Sequence, residues 1–328
     1  MFHGGERMDQ IEKLKKYDLH CHLDGSLTET VIQRLAGEAQ ILVPEALKLK
    51  ESLQVQPDCQ SLKEYLMKFD LPLSCLVTEE SFQTAVIQVM EEAAKENVVY
   101  MEIRFAPLLS VRENLTVDQI IRSAAEGIAE GRRLTGVKGN LIICGMRHMC
   151  PEDNVKLVKT AREFLGAGVC AVDLAGDEAA FPVKGQREMF QTAKKLGMPF
   201  TIHAGECGSA QSVWDAIELG ASRIGHGIAA VKDRELMKVL AFRRIPLEMC
   251  PTSNLQTKAV KSMEEYPFME FLNEGIAVTV NTDNRMVSNT TVTKELELLK
   301  DYYHLSMGDL ELLMENAKEA AFADAAGI

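Results

Sequence analysis

The chain has 328 residues, a hydrophobic fraction of 46% and a formal net charge of −12. That length holds two ordinary domains or one α/β barrel of about 250 residues or more. The acidic balance argues against a phosphate-binding surface, so neither nucleic acid nor an anionic membrane is an expected partner. No run approaches the roughly 20 apolar residues of a membrane span, and the N-terminus lacks the apolar core of a signal peptide. The eight cysteines include no C-x-x-C pair, and several sit in apolar runs. They read as buried free thiols of a cytoplasmic protein.

The first predicted strand covers residues 17–23 and is followed by the turn pair Asp24-Gly25. Residues 28–97 are too long for a simple βα connection. They carry several helical patterns, one of them over 61–71, and read as an insertion near a barrel mouth, a common place for a lid. Further strands are expected at 98–106, 139–144, 169–174, 200–203, 223–226, 246–249 and 277–281. Helical periodicity lies between or after them at 117–134, 155–165, 185–196, 210–219, 233–242 and 294–303. Strands separated by helices mean βαβ units and a parallel sheet, and eight such units suggest a closed (β/α)8 barrel. With no internal repeat and no Pro/Ser linker, residues 1–328 are expected to form one barrel domain with a helical, lid-like insertion.

The most informative stretch is Thr-Ile-His-Ala-Gly-Glu, residues 201–206. An apolar run leads in, and the turn residues Gly208-Ser209 follow. It reads as a buried strand delivering a metal ligand, His203, and an acid/base carboxylate, Glu206, at its exit. His20 and His22 alternate on the first strand, so both point to one side. His226 ends the sixth strand, and Asp283 follows the eighth. Active sites of (β/α)8 barrels form at the C-terminal ends of the strands, which is where each of these residues falls. Three or four imidazoles and a carboxylate supply the ligands of a catalytic zinc site. Zinc lowers the pKa of water from 15.7 to about 7, and an uncoordinated His beside that water can take its proton. His3, His148 and His304 lack this context. Gly225 to Ala230 formally fits a dinucleotide fingerprint, but its middle residue is His226 and the expected βαβ context with an acidic residue is missing. The cytidine-type zinc deaminase signature and the G-x-S-x-G elbow are absent.

Five motifs in order, His20-Cys-His22-Leu-Asp24-Gly, Leu174-Ala-Gly176-Asp-Glu, His203-Ala-Gly-Glu206, Gly225-His226-Gly and Asn281-Thr-Asp283, resemble the adenosine deaminase family of the amidohydrolase superfamily. The likeness runs from residue 17 to about 300. It implies a barrel with one Zn2+ per chain that hydrolyses adenosine or 2′-deoxyadenosine to the inosine nucleoside and ammonia, a reaction of purine salvage. Carried over, His20, His22, His203 and Asp283 would ligate zinc. Glu206 would protonate purine N1, and His226 would orient and deprotonate the attacking water. The Gly176 N–H would donate to N3, and Asp24 would bind the ribose hydroxyl. The family commonly has Asp-Pro after the zinc-binding Asp, where this chain has Asn284-Arg285. An Asn amide can donate to purine N7 without first being protonated. Arg285 either admits a phosphate at the mouth or pairs with a carboxylate. Deamination of adenine, methylthioadenosine or a futalosine-type nucleoside is the alternative. A hydrolase for another bond is a further one, although the fourth strand lacks the lysine that often bridges two metals in such enzymes. The expected partner is a small-molecule nucleoside, and nothing in the sequence sets an oligomeric state.

Overall fold

The computed structural model describes residues 10–322 apart from 58, 60 and 208. Gly208 of the expected turn and His3 therefore lie outside the described residues. Eight strands follow in chain order: β1 (Lys16–His22), β2 (Val98–Phe105), β3 (Lys138–Met146), β4 (Val169–Ala175), β5 (Thr201–Ala204), β6 (Arg223–His226), β7 (Leu247–Met249) and β8 (Val278–Val280). Their bounds lie within two residues of the expected ones. Strands β1 to β4 pair in order, as do β5 to β8, and every pairing is parallel. Single parallel bridges, Val172 to Phe200 and Cys21 to Asp283, join the two runs and close the barrel. The strands are covered on both faces, so they read as nearly continuous apolar runs rather than as alternation; β4 is buried along its whole length.

The outer layer follows from amphipathic periodicity and local capping. Helix Val117–Thr135 starts with a capping box between Thr116 and Gln119 and stops at Gly136 in the left-handed region, which satisfies orphan backbone groups at both ends. Helix Pro151–Glu163 begins four residues earlier than its periodicity indicates, because Pro151 stands at its first position, where a missing N–H costs nothing.

The stretch between β1 and β2 holds helices Glu29–Glu38, Ala46–Leu53, Leu62–Leu66, Asp70–Cys75 and Glu79–Ala94. The last packs against Val117–Thr135 and so belongs to the barrel's outer layer. The helix expected over 61–71 is broken by a 3-10 turn, Met67–Phe69. Pro72 explains the break. A helix continuing from Ser61 would place it in the interior, where it lacks a donor and clashes, whereas a restart at Asp70 puts it in a first turn.

Candidate active site

His20 and His22 project from the end of β1, His203 from β5, and His226 from the end of β6, while Asp283 follows β8. His20 Nε2 and His22 Nε2 lie 3.3 and 3.4 Å from Asp283 Oδ1. His22 Nε2 is 3.2 Å from His203 Nε2. Donor atoms of His20, His203, His226 and Asp283 lie within 4.8 Å of one another, all buried. The cluster fits a metal site. His20 Nε2 is buried without a hydrogen-bond partner, which a ligand nitrogen awaiting a cation would be. Gly225 on β6 makes the convergence possible: a Cβ there would stand 3.1 Å from the His203 Cα and 3.3 Å from the His20 ring.

Beneath the cluster lies a fully buried layer of charge. His20 Nδ1 donates to Glu248 Oε2 at 2.8 Å, and His203 Nδ1 lies 2.8 Å from Asp173 Oδ2. Arg104 donates to both carboxylates, at 2.9 Å to Asp173 and 2.8 Å to Glu248. Arg223 donates to the other oxygen of Glu248 at 2.6 Å. Metal-binding imidazoles almost always donate their second N–H to a carboxylate, carbonyl or water, which fixes ring orientation, and His20 and His203 have carboxylates there. Burial lowers the His20 pKa to about 4, with Arg104 adding to the effect, so the ring is neutral and able to ligate at neutral pH.

Sequence reasoning did not single out Glu248, Asp173, Ser253, Asn254 or Glu178. Ser253 donates to Asp283 Oδ2 at 2.5 Å, and Asn254 Nδ2 lies 3.0 Å from His226 Nδ1. Both come from the short helix Pro251–Gln256. Glu178 accepts the backbone N–H groups of Gly205, Glu206 and Cys207 at 2.6, 2.9 and 3.0 Å and so fixes the turn that presents Glu206. A signal existed for three of the five, since Glu178 closes the motif that starts at Leu174. Glu248 and Asp173 are carboxylates inside apolar strands, and a buried charge demands a partner.

Above the cluster is a cavity of about 240 Å³, whose walls include His22, Asp24, Gly176, His203, Glu206 and Asn284 together with His226 and Asp283. The expected site residues thus meet in one place, with His20 directly below. Glu206 Oε2 lies 3.6 Å from His226 Nε2, and burial raises the Glu206 pKa. Burial also raises Asp24, to about 6, and its Oδ1 has no hydrogen-bond partner. The Oδ1 of Asn284 is likewise buried and unpartnered. A Cβ on Gly25 would fall 1.9 Å from it, so only glycine fits beside Asn284. The opposite wall is apolar and comes from the insertion, through Leu62, Tyr65, Leu66, Phe69 and Leu73.

Arg285 does not reach the cavity. Its guanidinium turns outward and pairs with Glu96, which settles the two readings of this residue in favour of the carboxylate partner. His148 is exposed at the rim, its ring centroid 6.4 Å from that of Phe181, and His304 ends the helix Val292–Tyr303. Cys150 and Cys207 are exposed, unlike the expected buried thiols, while the other six cysteines are buried and all eight are free. Cys150 stands outside the strands as the residue before Pro151, and Cys207 lies on the loop after β5.

A closed parallel barrel with imidazoles, a carboxylate and a buried acid gathered at its strand ends defines a hydrolase of the amidohydrolase barrel type. The family described as Adenosine deaminase matches residues 15–327, and the chain belongs to that family. An adenosine deaminase of Clostridium botulinum is 47% identical over 317 residues, covering 95% of this chain and 94% of that protein. Among solved structures, an adenine deaminase from Arthrobacter aurescens is 26% identical with a TM-score of 0.87 and covers 95% of each chain. The N6-methyl-AMP deaminase of Arabidopsis thaliana is 27% identical with a TM-score of 0.84, covering 96% of this chain and 94% of that one.

Proposed function

We propose that the chain hydrolyses adenosine and 2′-deoxyadenosine to the inosine nucleosides and ammonia, as a cytoplasmic purine-salvage enzyme with one zinc ion held by His20, His22, His203 and Asp283. The observation that carries this reading is the pairing of a buried acid, Glu206, with the His/Asp cluster in a cavity that also holds the unpartnered Asp24 carboxylate. Four imidazoles compete for the metal. Donor spacing groups His226 with His20, His203 and Asp283; the family resemblance instead assigns His22 to the metal and leaves His226, which faces Glu206, to handle the water. Free cysteines support the cytoplasmic assignment. The apolar wall contributed by Leu62, Leu66, Phe69 and Leu73 supports one barrel domain whose insertion acts as a lid.

When bound, zinc supplies Lewis acidity at the point where water meets the purine C6. Glu206, whose carboxyl pKa burial raises, gives a proton to N1 as water adds to C6. His226 orients that water, takes its proton and passes it to the departing amine. The C6–N bond then breaks, and the hydroxyl hydrogen at C6 returns to Glu206, so that water and adenosine become inosine and ammonia. The Gly176 N–H donates to N3, the Asn284 amide to N7, and Asp24 accepts from the ribose hydroxyl.

A substrate panel tests this reading. Adenosine should exceed adenine by several orders of magnitude in kcat/KM, with AMP and methylthioadenosine well below adenosine, and Asp24→Ala should narrow the gap to adenine. A buried carboxylate–hydroxyl contact provides binding energy that the free base cannot use. If adenine is the better substrate, the sugar assignment is wrong.

Asn284 gives a second test. With 7-deazaadenosine its amide would face an apolar C–H, and one unpaired buried polar group costs about 1–3 kcal/mol. Asn284→Leu should therefore weaken adenosine turnover and barely affect the 7-deaza analogue. Equal losses on both substrates would remove Asn284 from N7 and leave it as support for Asp283.

A further inference from the structure

We infer that Arg285 and Glu96 form a positioning pair that holds the loop bearing Asp283 and Asn284, and through it the retention of the metal. Asp283 lies in the left-handed region at φ 58°. A non-glycine residue there is strained and persists where its surroundings over-determine it. Inside the barrel wall the constraint is backbone pairing: Asp283 N–H donates to His20 O at 2.8 Å, and His22 N–H donates to Asp283 O at 2.6 Å. Outside the wall Thr282 donates to Asp18 through its hydroxyl at 2.7 Å. Arg285 completes the set. Its N–H donates to Ser26 Oγ at 3.2 Å, and its guanidinium donates to Glu96 Oε1, through Nη1 at 2.5 Å and also through Nη2.

Glu96 is an anchor because it is itself fixed. It accepts the Thr293 N–H at 2.8 Å and the Val292 N–H at 3.3 Å, the first amides of helix Val292–Tyr303. It also stands two residues before β2. The pair therefore ties the loop after β8 to the start of the following helix and to the strand beside β1.

Stability alone is a weak reason for such a pair. Both groups are nine-tenths buried, Arg285 Nε has no partner, and replacing a buried ion pair with uncharged groups is often neutral or stabilising. What the pair does provide is a fixed direction for the two residues before it, one a metal ligand and one on the substrate wall. Arg285 touches neither metal nor substrate, so its role is positioning.

The test compares the zinc-loaded wild type with two variants. Arg285→Met with Glu96→Gln removes both charges and leaves an amide oxygen for Thr293. Its melting temperature should stay within about 2 °C of wild type. Its zinc loss to a chelator should be about 10-fold faster or more, the effect expected when a partner that orients a ligand is removed. The KM for adenosine at saturating zinc should rise. Zinc loss and KM at wild-type values in that variant would overturn the inference. Arg285→Lys keeps the charge and gives up the two-nitrogen fork. It should lose zinc a few-fold faster, and a wild-type rate would overturn the inference even if the double variant fails to fold. The inference rests on the zinc assignment proposed above. A wild type that binds no zinc sinks both, whereas a zinc-holding wild type with unaltered variants sinks only the role of Arg285 and Glu96.

Discussion

Glu206→Gln should keep its zinc and lose about 10²- to 10⁴-fold in kcat, the usual contribution of a general acid/base. The substitution is nearly isosteric. The turn that carries residue 206 is held from outside by Glu178, which binds three successive N–H groups, so the amide should occupy the place of the carboxyl. What it lacks is a transferable proton. Burial raises the Glu206 pKa, which favours the acid form over an exposed carboxyl, and an amide has no such form. Steady-state kinetics beside elemental analysis separates the outcomes. Unchanged kcat removes Glu206 from the chemistry, and loss of zinc would mean that it supports the cluster instead.

Chelation should abolish activity, and restoring one equivalent of zinc per chain should recover it. His203→Ala should behave as the chelated enzyme does. Removing that ring deletes a ligand nitrogen and also exposes Asp173, now short of its imidazole, in a site where it is fully buried. Arg104 still faces that carboxylate at 2.9 Å, so the fold should survive while the metal is lost. Elemental analysis decides the matter. Two metals per chain, or none in an active preparation, would exclude the proposed zinc chemistry.

The strands were legible because barrel strands are short apolar runs that end on chemistry, and His20, His22, His203, His226 and Asp283 each mark such an end. The lid segment was half legible. Apolar periodicity over 61–71 located the wall that Leu62, Leu66 and Phe69 form, but the break before Pro72 depends on a single ring. The support under the site was mostly hidden. Glu178 lies some thirty residues from the turn it binds, and Asn254 lies twenty-eight from His226. Neither position has a periodic signature, because loops and short helices bring them together. Arg285 was legible as a departure but not as a direction: only the fold shows that it points at Glu96, 189 residues away.

The barrel closes through two single bridges, and its donors come from both sides of that seam. His20 and His22 belong to the first run of strands, while His203, His226 and Asp283 belong to the second or follow it. No fragment of the growing chain can hold the ion with the full set. On a ribosome adding about 5–20 residues per second, His20 must wait roughly 13–50 s for Asp283. Under the proposed zinc assignment, capture with the full set comes late in synthesis rather than serving as an early nucleus. If the proposed zinc is that metal, a cell short of it would accumulate finished barrels without activity, and the supply of active enzyme would follow metal availability rather than translation.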